Sequence, residues 1–359
     1  MEPMSARTAS SVGHISARGG ASAAGTARPA AGAASAPLNQ HAIDAAARLG
    51  HAVADELSQA VSTSKEVIAL ATMTLFSGGH LLLEDVPGVG KTTLARAMAA
   101  AVQARVTRVQ FTSDMLPSDL TGVSIYDPST TSFSFHPGPL FSDVVIADEI
   151  NRANPKTQAA LLEAMEEQRI SVDGTTYELP DPYLVMATQN PIDMEGTYPL
   201  PEAQLDRFMV RLSLGYPTPE AERALVARAS GTDSAAAVTP VCSTEDVRRV
   251  RALAAQVRVT DEVAAYTVEL LSATRHAPEI RLGASPRAGL ALLAIARTSA
   301  LFDGRTAVFP GDVRWLAPAV LAHRLVLRDV RPDAPVAAQQ TEALQRALSQ
   351  VTAPGSRRR

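Results

Sequence analysis

Five short apolar runs alternate with helical patterns between about residues 40 and 215. Each run is rich in valine, isoleucine or leucine and is shorter than a typical helix. Strands that are apolar throughout, and that are separated by helices, indicate a parallel sheet buried on both faces. The predicted strands are His80–Glu84, Arg105–Phe111, Val144–Asp148, Tyr183–Thr188 and Phe208–Leu214.

The pattern changes after Tyr216, where strand signals stop and helical periodicity continues almost to the end of the chain. Thr260 and Ser285 are predicted to cap two of these helices, because a side-chain oxygen there can accept a hydrogen bond from the first turn. We therefore predict an α/β core over residues 38–215 and a smaller all-helical domain over residues 216–353. The predicted helices are residues 219–229, 245–256, 261–274, 286–302, 311–323 and 336–350.

Composition adds limits to this picture. Residues 1–37 are rich in Ala, Ser, Gly and Arg and hold one acid, so we expect a disordered low-complexity extension in preference to a transit peptide. Residues 354–359 are expected to form a disordered tail. The single cysteine, Cys242, favours a reducing compartment, and no run of about 18 apolar residues could span a membrane, so a cytoplasmic location is expected.

The first predicted strand leads through a glycine-rich loop into a helix. Gly88 and Gly90 let the backbone turn so that several N–H groups converge at the helix start, where the helix dipole also favours a phosphate. Lys91 is expected to reach the β- and γ-phosphates of a nucleotide, and Thr92 to bind Mg²⁺. The predicted phosphate-binding residues are Pro87, Gly88, Val89, Gly90, Lys91, Thr92 and Thr93.

This loop departs from the usual pattern, GxxxxGK followed by Ser or Thr, at one position. Asp85 stands where the pattern has its first glycine. The strand before the loop and the helix after it supply the context that the pattern requires. The alternative interpretation is a glycine-rich turn with a chance Lys-Thr pair.

Polar residues end two other predicted strands. Asp148 and Glu149 follow the buried run that starts at Val144, and Asn190 follows the run that starts at Tyr183. Ligands of open α/β sheets bind beyond the carboxyl ends of the strands, so these side chains should face the same crevice as Lys91. Asp148 suits the Mg²⁺ shell and Glu149 suits activation of the attacking water. A solvated acidic pair and an Asn-Pro turn are the alternatives.

Four motifs in this order resemble the MoxR family of AAA+ ATPases. They are GHLLLEDVPGVGKTTLARAMA, DEINRANPKTQAALLEAMEE, MATQNP and LPEAQLDRF, and the resemblance extends from about residue 60 to residue 320. It implies an AAA+ P-loop αβα core with a parallel sheet, followed by an all-helical lid. It also implies ATP and Mg²⁺ as ligands and a homo-oligomeric ring, expected to be a hexamer.

The resemblance also implies roles for single residues. Asp148 completes the metal site with Thr92, Glu149 activates water, and Asn190 is a sensor on the fourth strand. Arg207 resembles the arginine finger that reaches into a neighbour's site, and Arg287 resembles the second sensor on the lid. A planar guanidinium suits phosphate oxygens on which charge spreads. The alternative for each arginine is a surface salt bridge.

Two inserts carry the alternation typical of hairpins. Ser124–His136 is predicted to form a hairpin within the second helix of the core. Ile170–Tyr177 contains the dipeptide Asp173-Gly174, which is a strong signal for a tight turn. The second insert resembles a hairpin that contacts substrate in related ATPases.

The resemblance implies chaperone-like remodelling of partner protein complexes, including maturation or metal loading, often with a von Willebrand A-domain partner. A magnesium-chelatase-type motor subunit, a helicase-like DNA motor and a nucleotide-gated scaffold without turnover are the alternatives. The net charge of −4 and the lack of Lys or Arg at the Asp173-Gly174 turn count against DNA. Glu149 and Arg207 count against the scaffold.

Overall fold

The computed structural model describes residues 39–86, 88–190, 196–220, 222–223 and 238–354. The predicted extension and nearly all of the predicted tail lie outside these residues, as does most of the predicted helix 219–229. In chain order the strands are β1 Leu81–Glu84, β2 Val106–Gln110, β3 Gly122–Asp127, β4 Ser132–Pro137, β5 Val144–Asp148, β6 Arg169–Val172, β7 Thr175–Glu178, β8 Leu184–Gln189, β9 Val210–Leu212, β10 Ile280–Leu282 and β11 Val326–Leu327.

The five predicted strands form one sheet in the order β2-β5-β8-β1-β9, and every neighbouring pair is parallel. Alternate residues of β1 belong to different cores: Leu81 and Leu83 pack in one, and Leu82 packs in the other. The central strands β1, β5 and β8 are therefore buried on both faces, which explains why they lack a polar alternation. The edge strand β2 is largely exposed. The predicted parallel α/β fold is confirmed.

Helices cover both faces of this sheet and form most of the second half of the chain. Several begin at a side-chain cap, including Ser285, whose hydroxyl accepts from the Ala288 N–H at 3.1 Å, and Thr260, which accepts from Val263 N–H at 3.3 Å. The helices are α1 Gln40–Ala60, α2 Lys65–Ser77, α3 Lys91–Ala101, α4 Pro117–Thr121, α5 Pro155–Glu167, α6 Glu202–Leu205, α7 Thr244–Gln256, α8 Asp261–His276, α9 Pro286–Phe302, α10 Pro310–Leu321 and α11 Val336–Ser349.

The second half of the chain is helical as predicted, with one addition. β10 and β11 form a short antiparallel ladder between the helices, which the sequence pattern did not indicate. The α9 helix packs against α1, where Gly50 leaves room for the Phe302 ring: an added Cβ would lie 2.5 Å from that ring. The division into domains at residue 215 stays a prediction.

Both predicted hairpins are present. β3 and β4 pair antiparallel, and so do β6 and β7, whose turn residues Asp173 and Gly174 have φ of 51° and 80°. The first hairpin follows the five-residue helix α4 and leads to β5 without a second helical half. The two hairpins meet where the rings of Phe135 and Tyr177 stack, with centroids 4.2 Å apart.

Two buried side chains lie outside the candidate site. Cys242 is buried, and burial raises the pKa of its thiol to about 11, which suits a small packing residue. His80 is buried at the start of β1, where its Nδ1 accepts from the Val185 N–H at 3.0 Å and its Nε2 lies 3.2 Å from the Met165 carbonyl oxygen. Burial lowers the pKa of His80 to about 4, so this histidine is neutral and structural.

Candidate functional site

The phosphate loop connects β1 to α3 at the carboxyl edge of the sheet. Gly88 and Gly90 have φ of 86° and 97°, a region that favours glycine, and Gly90 directly precedes the first residue of α3. The Lys91 amine donates to the carbonyl oxygen of Asp85 at 2.6 Å and lies 3.4 Å from that of Val86. Pro87 lies outside the described residues.

Lys91 lies within electrostatic reach of the two acids at the end of β5. Burial lowers the pKa of Lys91, and the carboxylates of Asp85, Asp148 and Glu149 oppose that shift. The sheet order explains the proximity, because β8 alone separates β1 from β5 and all three strands are parallel. The predicted gathering of an amine and two acids at one sheet edge is therefore observed.

Thr188, near the end of β8, orders the two acids. Its hydroxyl donates to Asp148 Oδ1 at 3.2 Å and accepts from the Glu149 N–H at 2.9 Å. Glu149 has a left-handed backbone with φ of 55°, so its side chain leaves the strand direction directly after Asp148. Sequence analysis gave Thr188 no role.

The edge strand β2 supplies two further partners that sequence analysis missed. Arg108 Nε lies 2.5 Å from Asp148 Oδ2, and Gln110 Nε2 donates to Glu149 Oε2 at 2.8 Å. Both residues lie on one side of the strand because their positions differ by two. Arg152 adds an ion pair to Glu149, with Nε 2.9 Å from Oε2.

Asn190 is buried directly after β8, the strand between β5 and β1. It therefore lies in the row of strand ends that also holds Asp148 and the phosphate loop, which is the place predicted for a sensor. Its role as a sensor stays a prediction.

Asp85, the departure from the usual pattern, has a buried carboxylate with three donors. It accepts from the Ser213 hydroxyl at 2.7 Å, from the Leu214 N–H at 2.6 Å and from the Gly215 N–H at 3.3 Å. Asp85 thus ties the phosphate loop to the segment that follows β9. A glycine could not make these bonds.

The donors at this edge fit Mg²⁺ and a nucleotide. Mg²⁺ is usually bound by one or two carboxylates together with substrate phosphates and waters, and Asp148 with Thr92 matches that set. Among the described residues no group of three His, Cys, Asp or Glu side chains could hold a metal. Gly88 is exposed, and an added Cβ there would meet no described atom within 4 Å, so the loop backbone is open to solvent at this point.

Arg207 and Arg287 lie away from Lys91 and from the phosphate loop. Arg207 precedes β9, whereas Lys91 follows β1, and the two strands are parallel neighbours, so these residues lie at opposite edges of the sheet. Both arginines contact Glu166 near the end of α5. Sequence analysis did not single out Glu166, since nothing local to it signals two partners 41 and 121 residues away.

Comparison with known proteins identifies this architecture. Residues 80–210 match the ATPase family associated with various cellular activities (AAA), and residues 272–346 match the AAA lid domain. The uncharacterized protein YeaC of Bacillus subtilis is 45% identical over 300 residues, covering 84% of this chain and 92% of that protein. Chaperone MoxR1 of Mycobacterium tuberculosis is 42% identical over 281 residues, covering 76% of this chain and 74% of that protein. The chain belongs to the MoxR family of AAA+ ATPases.

A solved structure agrees with the MoxR assignment. The crystal structure of a candidate ATPase from Cytophaga hutchinsonii matches with a TM-score of 0.77 and 37% identity, covering 86% of this chain and 96% of that one. Within the described part of this MoxR-family chain, no helix is both long and apolar enough to cross a membrane.

Proposed function

We propose that this chain hydrolyses ATP with Mg²⁺ in a ring of identical subunits and uses the reaction to remodel partner protein complexes. The observation that carries the proposal is the gathering of Lys91, Asp148 and Glu149 at one edge of the buried sheet. This combination of amine and acids is the one that phosphoryl transfer to water uses.

Each residue at this edge has a task in the proposed reaction. Bound ATP with Mg²⁺ supplies the phosphoryl group and a cation that neutralises it. Lys91 and the loop from Pro87 to Thr93 would hold phosphate oxygens, and Thr92 and Asp148 would hold the metal. Glu149 accepts the proton of the attacking water, and its bond from Gln110 keeps its carboxylate oriented. Asn190 holds the water or the γ-phosphate by a neutral hydrogen bond.

The two arginines support a ring. Arg207 and Arg287 lie at the sheet edge opposite to Lys91, and this separation supports a role for them at a site on another subunit. A finger supplied by a neighbour is worth ~10³–10⁵ in rate, which makes assembly a condition for turnover. We infer a closed ring, expected to be a hexamer by the family resemblance.

A protein client is favoured by the first hairpin. Val123, Ile125, Tyr126 and Phe133 are exposed large apolar residues, and Phe133 is 73% exposed. Neither Lys nor Arg occurs between Gly122 and Pro137, so this surface has no cationic side chain of the kind that neutralises phosphates. The name of the relative MoxR1, a chaperone, agrees with a protein client, and a von Willebrand A-domain protein is the partner that the family resemblance implies.

The Glu149→Gln variant tests the reaction. The amide keeps the shape of the side chain but cannot accept the proton, so we expect ATP binding within about twofold of the parent and hydrolysis at least ~100-fold slower. Equilibrium binding of a fluorescent ATP analogue and release of inorganic phosphate measure the two quantities. Turnover near that of the parent would remove Glu149 from the proposed role.

A further inference from the structure

One carboxylate joins two arginines from distant parts of the chain. Glu166, near the C-terminal end of α5, lies with Oε2 3.0 Å from Arg207 Nη2, and its Oε1 accepts from Arg287 Nη2. Arg207 belongs to the segment before β9, and Arg287 is the second residue of α9. The two guanidinium groups are therefore held beside each other by a third residue.

Side chains next to the two arginines also connect the chain segments that carry them. Asp206, next to Arg207, accepts from the hydroxyl of Ser285, the cap of α9, at 3.2 Å. Arg324 forms an ion pair with the same Asp206 carboxylate at 2.7 Å. The arginines thus share a neighbourhood because their chain segments are fixed there, and Glu166 sets the direction of their side chains.

Charge explains why a carboxylate is needed at this place. Two guanidinium groups side by side repel each other, and a shared carboxylate offsets that repulsion. The hydrogen bond from Arg287, together with the charge of Arg207, holds the pKa of Glu166 below its ordinary value, so the carboxylate stays ionised.

Both arginines retain donors for an external acceptor. A guanidinium has five N–H donors, and each ion pair to Glu166 uses one Nη atom. The Arg207 and Arg287 side chains are 28% and 49% exposed. Contact with Glu166 therefore orients the arginines without consuming their capacity to bind phosphate oxygens.

We propose that Glu166 is a positioning residue that presents Arg207 and Arg287 as one unit to the phosphates held by a second copy of this chain. The inference rests on the proposed function, since it presupposes ATP hydrolysis at subunit interfaces. Orientation of charged groups before the reaction is a main source of catalysis, so loss of the clamp should slow hydrolysis in the neighbour's site. It should leave the nucleotide affinity of the same subunit unchanged.

The test is complementation between two defective subunits. Glu149→Gln subunits lack the water-activating carboxylate but carry an intact arginine unit, and Glu166→Gln subunits have the reverse defect. Rings made only of Glu166→Gln subunits should hydrolyse ATP about tenfold more slowly than the parent, because part of the rate contributed by the arginines depends on their orientation. In an equimolar mixture we expect phosphate release well above the sum of the two separate rates, because sites of Glu166→Gln subunits then face intact arginines.

Two further variants separate the possible failures. Glu163, Glu166 and Arg207 line one cavity of about 780 Å³. Glu163→Gln removes the same charge one turn earlier on α5, and Glu163 forms no ion pair with a described residue, so this variant should keep parental turnover. Arg207→Ala mixed with Glu149→Gln should complement like Glu166→Gln. If Arg207→Ala complements but Glu166→Gln does not, the role of Glu166 is wrong while the proposed function stands.

If neither mixture complements although parental rings turn over, the arginines do not act between subunits, and the proposed function fails at that point together with the inference. In the Arg207→Ala, Arg287→Ala double variant, adding Glu166→Gln should cause no further loss of rate. An additional loss of similar size there would show that Glu166 acts through another contact. Equal thermal unfolding midpoints for the parent and Glu166→Gln are expected throughout.

Discussion

Asp85 stands where the common phosphate-loop pattern has a glycine, and its side chain makes contacts that a glycine could not make. Its carboxylate binds the segment from Ser213 to Gly215, its carbonyl oxygen holds the Lys91 amine, and its N–H lies 3.4 Å from the Gln189 carbonyl oxygen. Three neighbours of the nucleotide site therefore meet at one residue. Glycine would supply the two backbone groups and lose the carboxylate.

We predict that Asp85→Gly, which restores the usual phosphate-loop pattern, lowers both the free energy of unfolding and the affinity for ATP. It leaves the buried Leu214 N–H without its partner, and an unsatisfied buried donor costs about 1–3 kcal/mol. We expect a loss of stability of that size in urea unfolding and ATP binding weakened by about tenfold, since the loop is then less ordered.

Two milder variants serve as controls. Asp85→Asn keeps one acceptor oxygen and should give an intermediate loss, and Ser213→Ala removes one of the three bonds and should cost less than Asp85→Gly. ATP binding by Asp85→Gly as tight as that of the parent would show that the carboxylate does not order the loop.

At the scale of elements, the first hairpin is fixed at its base by two glycines whose backbones lie close together. A Cβ added at Gly138 would overlap the Leu120 carbonyl oxygen and lie 2.5 Å from the Gly122 nitrogen. Since these neighbours are backbone atoms, no side-chain rotation relieves the overlap. The position of the exposed apolar face at Phe133 depends on this close approach.

We predict that Gly138→Ala destabilises the protein by about 1–3 kcal/mol, the usual cost of forcing extra volume into a packed place. Gly311→Ala is the matched control, because an added Cβ there meets no described atom within 4 Å and the residue lies in the first turn of α10. Chemical unfolding measures both. A Gly138→Ala variant as stable as Gly311→Ala would show that the hairpin base yields without cost.

Elements were the features that sequence could predict well. The five strands of the parallel sheet, both hairpins and the caps Thr260 and Ser285 follow from local composition and spacing, and they are confirmed, although the edge strand β2 is largely exposed. The short ladder of β10 and β11 was missed because strands of two or three residues carry almost no periodic signal. The predicted helical continuation after the first hairpin was wrong, since the chain enters β5 directly.

The site was predictable only where its residues lie in motifs. Lys91 and the acids at the end of β5 are marked by their neighbours in the sequence. Gln110 and Thr188 became visible only through strand register, which pairs Gln110 with Asp148 across the sheet. Glu166 was missed because its two arginine partners are distant in the sequence and contact it only in the folded chain.

At the scale of the whole molecule, Lys91 and Arg207 lie at opposite edges of the sheet, and this separation bears on assembly. Lys91 lies at the carboxyl edge of the sheet and Arg207 lies at the opposite edge, so under the proposed function Arg207 would serve the site of another subunit. In a ring, each subunit would offer its arginine edge to the next. Hydrolysis should then depend on how many subunits are assembled.

We predict that the rate per subunit of the parent rises with protein concentration, whereas Arg207→Ala shows a low rate that stays flat, at least ~1000-fold below the parental plateau. Its ATP affinity should match that of the parent, because Arg207 is remote from the phosphate loop of its own chain. Arg169→Ala is the control: Arg169 lines the same cavity as Arg207 and pairs with Glu167 at 2.8 Å, so its loss removes equal charge nearby and should preserve the concentration dependence. A parent whose rate per subunit is already constant at the lowest concentrations, with sedimentation showing monomers, would mean that each chain completes its site alone.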